Sequence, residues 1–145
     1  LQLGNNVVLC LRLPVGPWSP WHRQKVDPTS RQQHKANLHV GQLVTNTFVA
    51  VLEPLRAAFP QQLQCVVSWP TNCDAWKDPE VQRLVKLCGA TTTFDGCCYG
   101  LKSQKSGQLY KRSWSMCTTL PELVEPLSQQ CRGDLGHVHA PQREG

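Results

Sequence analysis

Apolar positions along the chain fall into short runs and longer periods that alternate in kind. Val7 to Leu13 is an apolar run, interrupted by Arg12 and closed by Pro14, the pattern of a buried strand. Leu63 to Val67 repeats it before Ser68-Trp69-Pro70. Between them Leu38, Val44, Phe48, Val51, Leu52, Leu55 and Phe59 recur at the spacing of one helical face, which predicts a long helix over Ala36 to Phe59, kinked or ended by Pro54. Asp78-Pro79-Glu80 opens a second helix with a capping acceptor, a proline at the first helical position and an acid near the positive dipole end, and Gly89 closes it. Ala90 to Phe94, with three threonines, and Arg112 to Cys117 are β-prone, separated by a hydrophilic hairpin-like insertion, Lys102 to Gln108. A last helix is expected from Thr118 or Thr119 through Pro121, Leu123, Val124 and Leu127 to about Gln130. Residues 140–145 read as a disordered tail.

Strands alternating with helices at this spacing predict an α/β fold, Rossmann-like, with a mainly parallel sheet flanked by helices. Loops at the carboxyl ends of such strands form the functional crevice, so Pro14 to Trp21 and Ser68 to Trp76 are expected to open on one face. A chain of 145 residues supports one sizeable core, here a single domain over 1–139. Its start at Leu1 suggests a piece of a longer polypeptide. No apolar stretch reaches membrane length, so no membrane partner is expected.

Eight cysteines allow four disulfides, but Cys10 and Cys65 sit in β-like runs and Cys88 closes a helical pattern, where a thiol acts as a small hydrophobe. Reduced thiols and an intracellular location are the expectation, the even count keeping an extracellular alternative open. The net charge of +5 gathers around Arg23 to Lys35 and Lys102 to Arg112. DNA or RNA would be natural partners; solvated loops explain the same charges.

Four groups of residues carry chemical interest. Trp18, Trp21 and His22 lie in a proline-rich loop that suits stacking on bases or, as plain structure, cover for a sheet edge. Ser68, Cys73, Asp74 and Trp76 place a hydroxyl, a thiol and an acid close together, with no histidine nearby to serve as base. Cys97, Cys131, His137 and His139 offer two thiols and two imidazoles, the donors zinc prefers, with Cys97 chosen over Cys98 because flanking Gly96 lets the turn approach closely. The alternative is a histidine pair in a tail that binds nothing. Lys102, Lys105, Lys111 and Arg112 interleave with Tyr110 and Trp114, a strip able to follow a phosphate backbone or simply to discourage edge pairing.

In order along the chain, these loops resemble the catalytic core of DNA cytosine methyltransferases. Leu13-Pro14-Val15-Gly16-Pro17-Trp18-Ser19-Pro20-Trp21 is similar to the strand-end loop in which a Pro-Cys dipeptide places the nucleophile, and Val15 stands where that cysteine would be. Val66-Val67-Ser68-Trp69-Pro70 looks like the motif whose glutamate protonates the base, and Ser68 takes its place. Tyr99-Gly100 and Lys111-Arg112-Ser113 resemble paired motifs before the next strand. Phe94-Asp95-Gly96-Cys97-Cys98-Tyr99-Gly100, with Cys131 and His-x-His, is closer still to a methyltransferase-like domain of mobile-element polyproteins. The likeness spans about Val7 to His139 and implies fold more than activity.

A methyltransferase of this class needs a thiolate and an acid, which valine and serine do not supply. The glycine-rich turn for S-adenosylmethionine is also absent from these residues, so this cofactor is not expected. The resemblance therefore implies a non-catalytic domain, with a nucleic-acid-binding face of Trp18, Trp21, Lys102, Lys105, Lys111 and Arg112. A zinc-stabilised structural or interaction module is the alternative. A third reading, an unrelated enzyme recruiting Cys73, Asp74 or Cys98, lacks any base close in sequence.

Overall fold

In a computed structural model that describes residues 6–11, 18, 28–133 and 137–140, the chain is an α/β fold with a four-stranded mixed sheet and two helices. The strands are β1 (Val7–Leu11), β2 (Leu63–Pro70), β3 (Ala90–Asp95) and β4 (Ser113–Thr118), in the order β1-β2-β4-β3. Only β1 and β2 are parallel, Leu11 standing opposite Val67; β4 runs antiparallel to both β2 and β3. The expectation of a mainly parallel sheet is thus corrected to one parallel pair. The reason lies in the connections. A 31-residue helix, α1 (Pro28–Ala58), carries the chain back between β1 and β2, as a parallel pair requires. Between β3 and β4 the chain folds as a hairpin-like excursion, Ser103 N–H donating to Gln108 O, which leaves the strands antiparallel.

Alternation within β2 decides what faces the helices. Leu63, Cys65, Val67 and Trp69 are buried, while Gln64, Val66 and Ser68 on the other face are half-buried. The buried set packs with Val49 and Leu52 of α1 and with Val81, Leu84 and Cys88 of α2 (Pro79–Cys88), which together form the core. Burying a side chain of this size stabilises by about 1.5–3 kcal/mol. The most buried positions of α1 are Gly41, Thr45, Val49 and Leu52; of the expected face, Leu38, Phe48 and Leu52 lie in or against the core, while Val44, Val51 and Leu55 point to solvent. The helix also begins eight residues before Ala36 and runs on through Pro54 to Ala58.

Helix α2 follows its expected signals. Asp78 accepts Glu80 N–H at 3.0 Å with one carboxylate oxygen and Gln42 Nε2 at 2.9 Å with the other, and Gly89 adopts φ 81° beyond the last turn. The expected last helix is not formed: a single 3-10 turn, Pro121–Leu123, is followed by turns and an irregular path to Gln130. Pro126 lacks the N–H a continuing helix needs and disfavours helical geometry at Glu125. The segment is held instead from outside, Thr92 Oγ1 donating to Leu127 O and Tyr99 Oη to Pro126 O. Ala140, placed in the tail from sequence, is buried and donates its N–H to Leu109 O at 2.8 Å. Among the described residues no helix is long and apolar enough to cross a membrane.

Candidate metal centre

The four donors come from three short segments, each fixed by its own backbone chemistry. Cys97 sits in the 3-10 turn Gly96–Tyr99 directly after β3. Gly96 donates to Arg112 O, Leu101 N–H returns to Gly96 O, and a Cβ on Gly96 would lie 2.5 Å from Leu101 Cδ2, so a larger residue there would have to displace the Leu101 side chain. Gly100, at φ 79°, ends the turn by donating to Cys97 O. Cys131 is reached through a segment that Tyr99 secures, its hydroxyl accepting Gln129 N–H at 3.1 Å. His139 is set by a parallel bridge to Leu109 at the base of the hairpin.

These segments bring Cys97, Cys131, His137 and His139 together with their ligand atoms all within 4.8 Å of one another. Cys131 Sγ is 3.6 Å from His137 Nε2 and 3.5 Å from His139 Nε2, and the two Nε2 atoms are 2.9 Å apart. Bonds of about 2.3 Å to sulfur and about 2.0 Å to nitrogen at the tetrahedral angle would separate S from N by about 3.6 Å and N from N by about 3.3 Å. The sulfur–nitrogen spacings match this geometry already, and the imidazoles need only part by a few tenths of an ångström. A divalent metal such as zinc fits this donor set.

Burial, then the neighbouring Cys131 and Cys98 thiols, push the Cys97 thiol up to about 12. Left alone it stays protonated near neutrality; a bound cation reverses this, since a coordinating thiol is deprotonated. With no cation, one Nε2 must carry the proton that the other accepts, whereas a metal takes a lone pair from each.

Beside the donors lies a polar crevice of about 880 Å³, lined by Thr71, Thr93, Asp95, Cys98, Lys111 and Ser113 among others. It sits where the carboxyl ends of β2 and β3 meet the start of β4. That edge is where α/β sheets place ligands. Two residues around it escaped sequence reasoning in their present role. Asp95, inside the quoted Phe94-to-Gly100 motif, is buried and accepts Cys131 N–H at 2.8 Å and the Ser113 hydroxyl. Lys111, assigned to a nucleic-acid strip, donates to Cys131 O at 2.8 Å. Both act on the backbone of Cys131, a kind of contact that residue types and spacing do not announce.

The remaining sequence-derived candidates distribute as follows. Val15, Trp21 and His22 lie outside the described residues. Trp18 is 4% exposed and packs into the core, so its indole is not offered to bases, a correction to its place on the nucleic-acid face. Lys102, Lys105 and Arg112 are exposed, and Arg112 stacks over the Trp114 ring at 5.0 Å. Ser68 is half-buried on β2 opposite Met116. Cys73 is buried, and desolvation raises its thiol pKa, the reverse of nucleophile activation; Asp74 pairs with Lys77 at 3.2 Å. Compared with protein-family models, curated proteins and solved structures, the chain matches none.

Proposed function

We propose that this chain is a zinc-stapled α/β module of structural or interaction type, in which Cys97, Cys131, His137 and His139 hold one metal ion. The observation that carries the reading is the pair of sulfur–nitrogen distances, 3.5 and 3.6 Å, at tetrahedral spacing around one point. Four protein donors fill a tetrahedral shell and leave no open position for a reacting water, the mark of a structural site. What the metal does is join the C-terminal segment to the turn after β3.

Metal content of the purified full chain tests this: one zinc per chain is expected, lost in Cys131→Ser and His139→Ala. At free zinc about 1,000 times its Kd the bound ion adds about 4 kcal/mol, so chelation should lower Tm by on the order of 10 °C. A metal-free protein whose Tm ignores both zinc and chelator would reject it.

A second reading, a non-catalytic, Rossmann-like, DNA cytosine methyltransferase-like domain that binds nucleic acid, draws support from one arrangement. Because β1 and β2 are parallel neighbours, their carboxyl ends lie at the same end of the sheet, and the segment compared with the proton-donor motif forms the last residues of β2 rather than a loop. Beyond that end Cys73 Sγ lies 3.9 Å from Trp18 O. The residues that would meet a polyanion are then Lys102, Lys105 and Arg112, each exposed. Three phosphate contacts predict an affinity about 40-fold weaker at 200 mM than at 50 mM salt. Fluorescence anisotropy with duplex and single-stranded DNA at both concentrations measures it; no salt-dependent binding tighter than about millimolar counts against this reading.

A further inference from the structure

We infer that Asp95 and Lys111 are a positioning pair that fixes Cys131 for the metal, an inference resting on the zinc reading above. Cys131 lies in irregular chain, outside any helix or strand, so nothing in its local fold prescribes where its thiol points. Its peptide groups are nevertheless gripped on both sides. Its N–H donates to Asp95 Oδ2 at 2.8 Å, and its carbonyl accepts from Lys111 Nζ at 2.8 Å. The two side chains that do this face each other, Lys111 Nζ lying 4.0 Å from Asp95 Oδ2.

The carboxylate is then anchored in turn. Asp95 Oδ1 takes the Ser113 hydroxyl, and Asp95 N–H donates to Gln129 O at 3.0 Å, two residues before Cys131. Asp95 ends β3, only two residues ahead of Cys97. One buried side chain thereby sets the distance between the two thiol ligands. A carboxylate left in such a place without a task would be costly, because a buried charge is tolerated only when paired and hydrogen-bonded. Its partners here are the backbone of one ligand, the strand next to another and the lysine that completes the grip. Outer-shell groups that orient ligands in this manner tune metal affinity as well as hold the fold.

Zinc affinity of the full chain, measured in competition with a chromophoric chelator, and the Co²⁺ absorption spectrum test the pair. Asp95→Asn and Lys111→Met are each expected to weaken zinc about 10- to 100-fold and to alter the Co²⁺ d–d bands, while Lys86→Met, on the exposed side of α2, leaves both unchanged. If the two residues served the fold alone, the metal-free variants would melt lower with wild-type affinity and spectrum, and that outcome overturns the inference. Should Asp95→Asn fail to fold, Lys111→Met, at a half-exposed position, decides by the same two readouts. Wild-type protein that takes up neither Zn²⁺ nor Co²⁺ would sink the zinc reading itself, a failure distinct from variants that bind as wild type does.

Discussion

Two populations of thiol share this small chain, one packed among apolar side chains and one beside two imidazoles. Cys65, Cys88 and Cys117 are buried under the helices, Cys65 Sγ lying 3.6 Å from Cys88 Sγ. The hydrogen bond to Cys88, followed by burial, drives the Cys65 thiol far above its ordinary range. Contact with Cys117 raises Cys88 to about 12. Cys65 and Cys88 are small hydrophobes with a proton they cannot easily lose, whereas Cys97 and Cys131 sit beside two imidazoles. A stability consequence follows with a definite sign. Below the ordinary thiol pKa of about 9 the folded and unfolded chains both keep the proton, and nothing changes with pH. Above it the unfolded chain ionises while the folded core does not, so stability should fall by about 1.4 kcal/mol per pH unit for each such thiol. Urea unfolding under reducing conditions at pH 7.5 and pH 10 measures this, and equal midpoints at the two values would refute the assignment.

Elements were readable from the sequence in proportion to how local their causes are. The bounds of α2 came out well because Asp78, Pro79 and Gly89 act within one turn of themselves. Helix α1 was found and its face read in part: Leu38, Phe48, Leu52 and Phe59 lie in or against the core, while Val44, Val51 and Leu55 join Val40 in a second apolar stripe that the fold leaves in solvent. Its first turns, rich in Arg31, Gln32, Gln33 and Lys35, carry no apolar period to reveal them. The direction of β4 needed knowledge of which strand it joins, and pairing partners 44 to 52 residues away leave no mark in a window of the sequence. Segment 119–130 defeated the reading for the reverse reason: Leu123, Val124 and Leu127 keep helical spacing, but Pro126 and the hold of Thr92 and Tyr99 on its carbonyls impose another path. The candidate metal donors were legible because thiol and imidazole at Cys-x5-His-x-His are unusual in themselves. Asp95 and Lys111 were not, since each works through a backbone group of another segment.

The molecule as a whole is held by two unlike devices on different parts of the sheet. On one side the helices close a continuous apolar core around Val67, Trp69, Leu52 and Leu84, a cooperative unit that no single contact controls. Surface pairs such as Arg83–Glu53 at 3.0 Å link α1 to α2 but add little, being exposed. Elsewhere the C-terminal segment has few buried apolar contacts and depends on discrete links: the Asp95 and Lys111 hold on Cys131, the Leu109 bridge, and the clustered thiols and imidazoles of Cys97, Cys131, His137 and His139. Segments of that kind open locally at free energies well below that of global unfolding. Removing the metal should therefore release this segment while the core stays closed. Hydrogen exchange of the zinc-loaded and chelated protein gives the readout. The amides of Cys131 and Ala140, hydrogen-bonded to Asp95 and Leu109, should lose protection on chelation, and those of Cys65 to Val67 in β2 should keep it. Equal loss in both places would mean that the metal supports the entire fold, and no loss in either would mean that the segment stays closed without it.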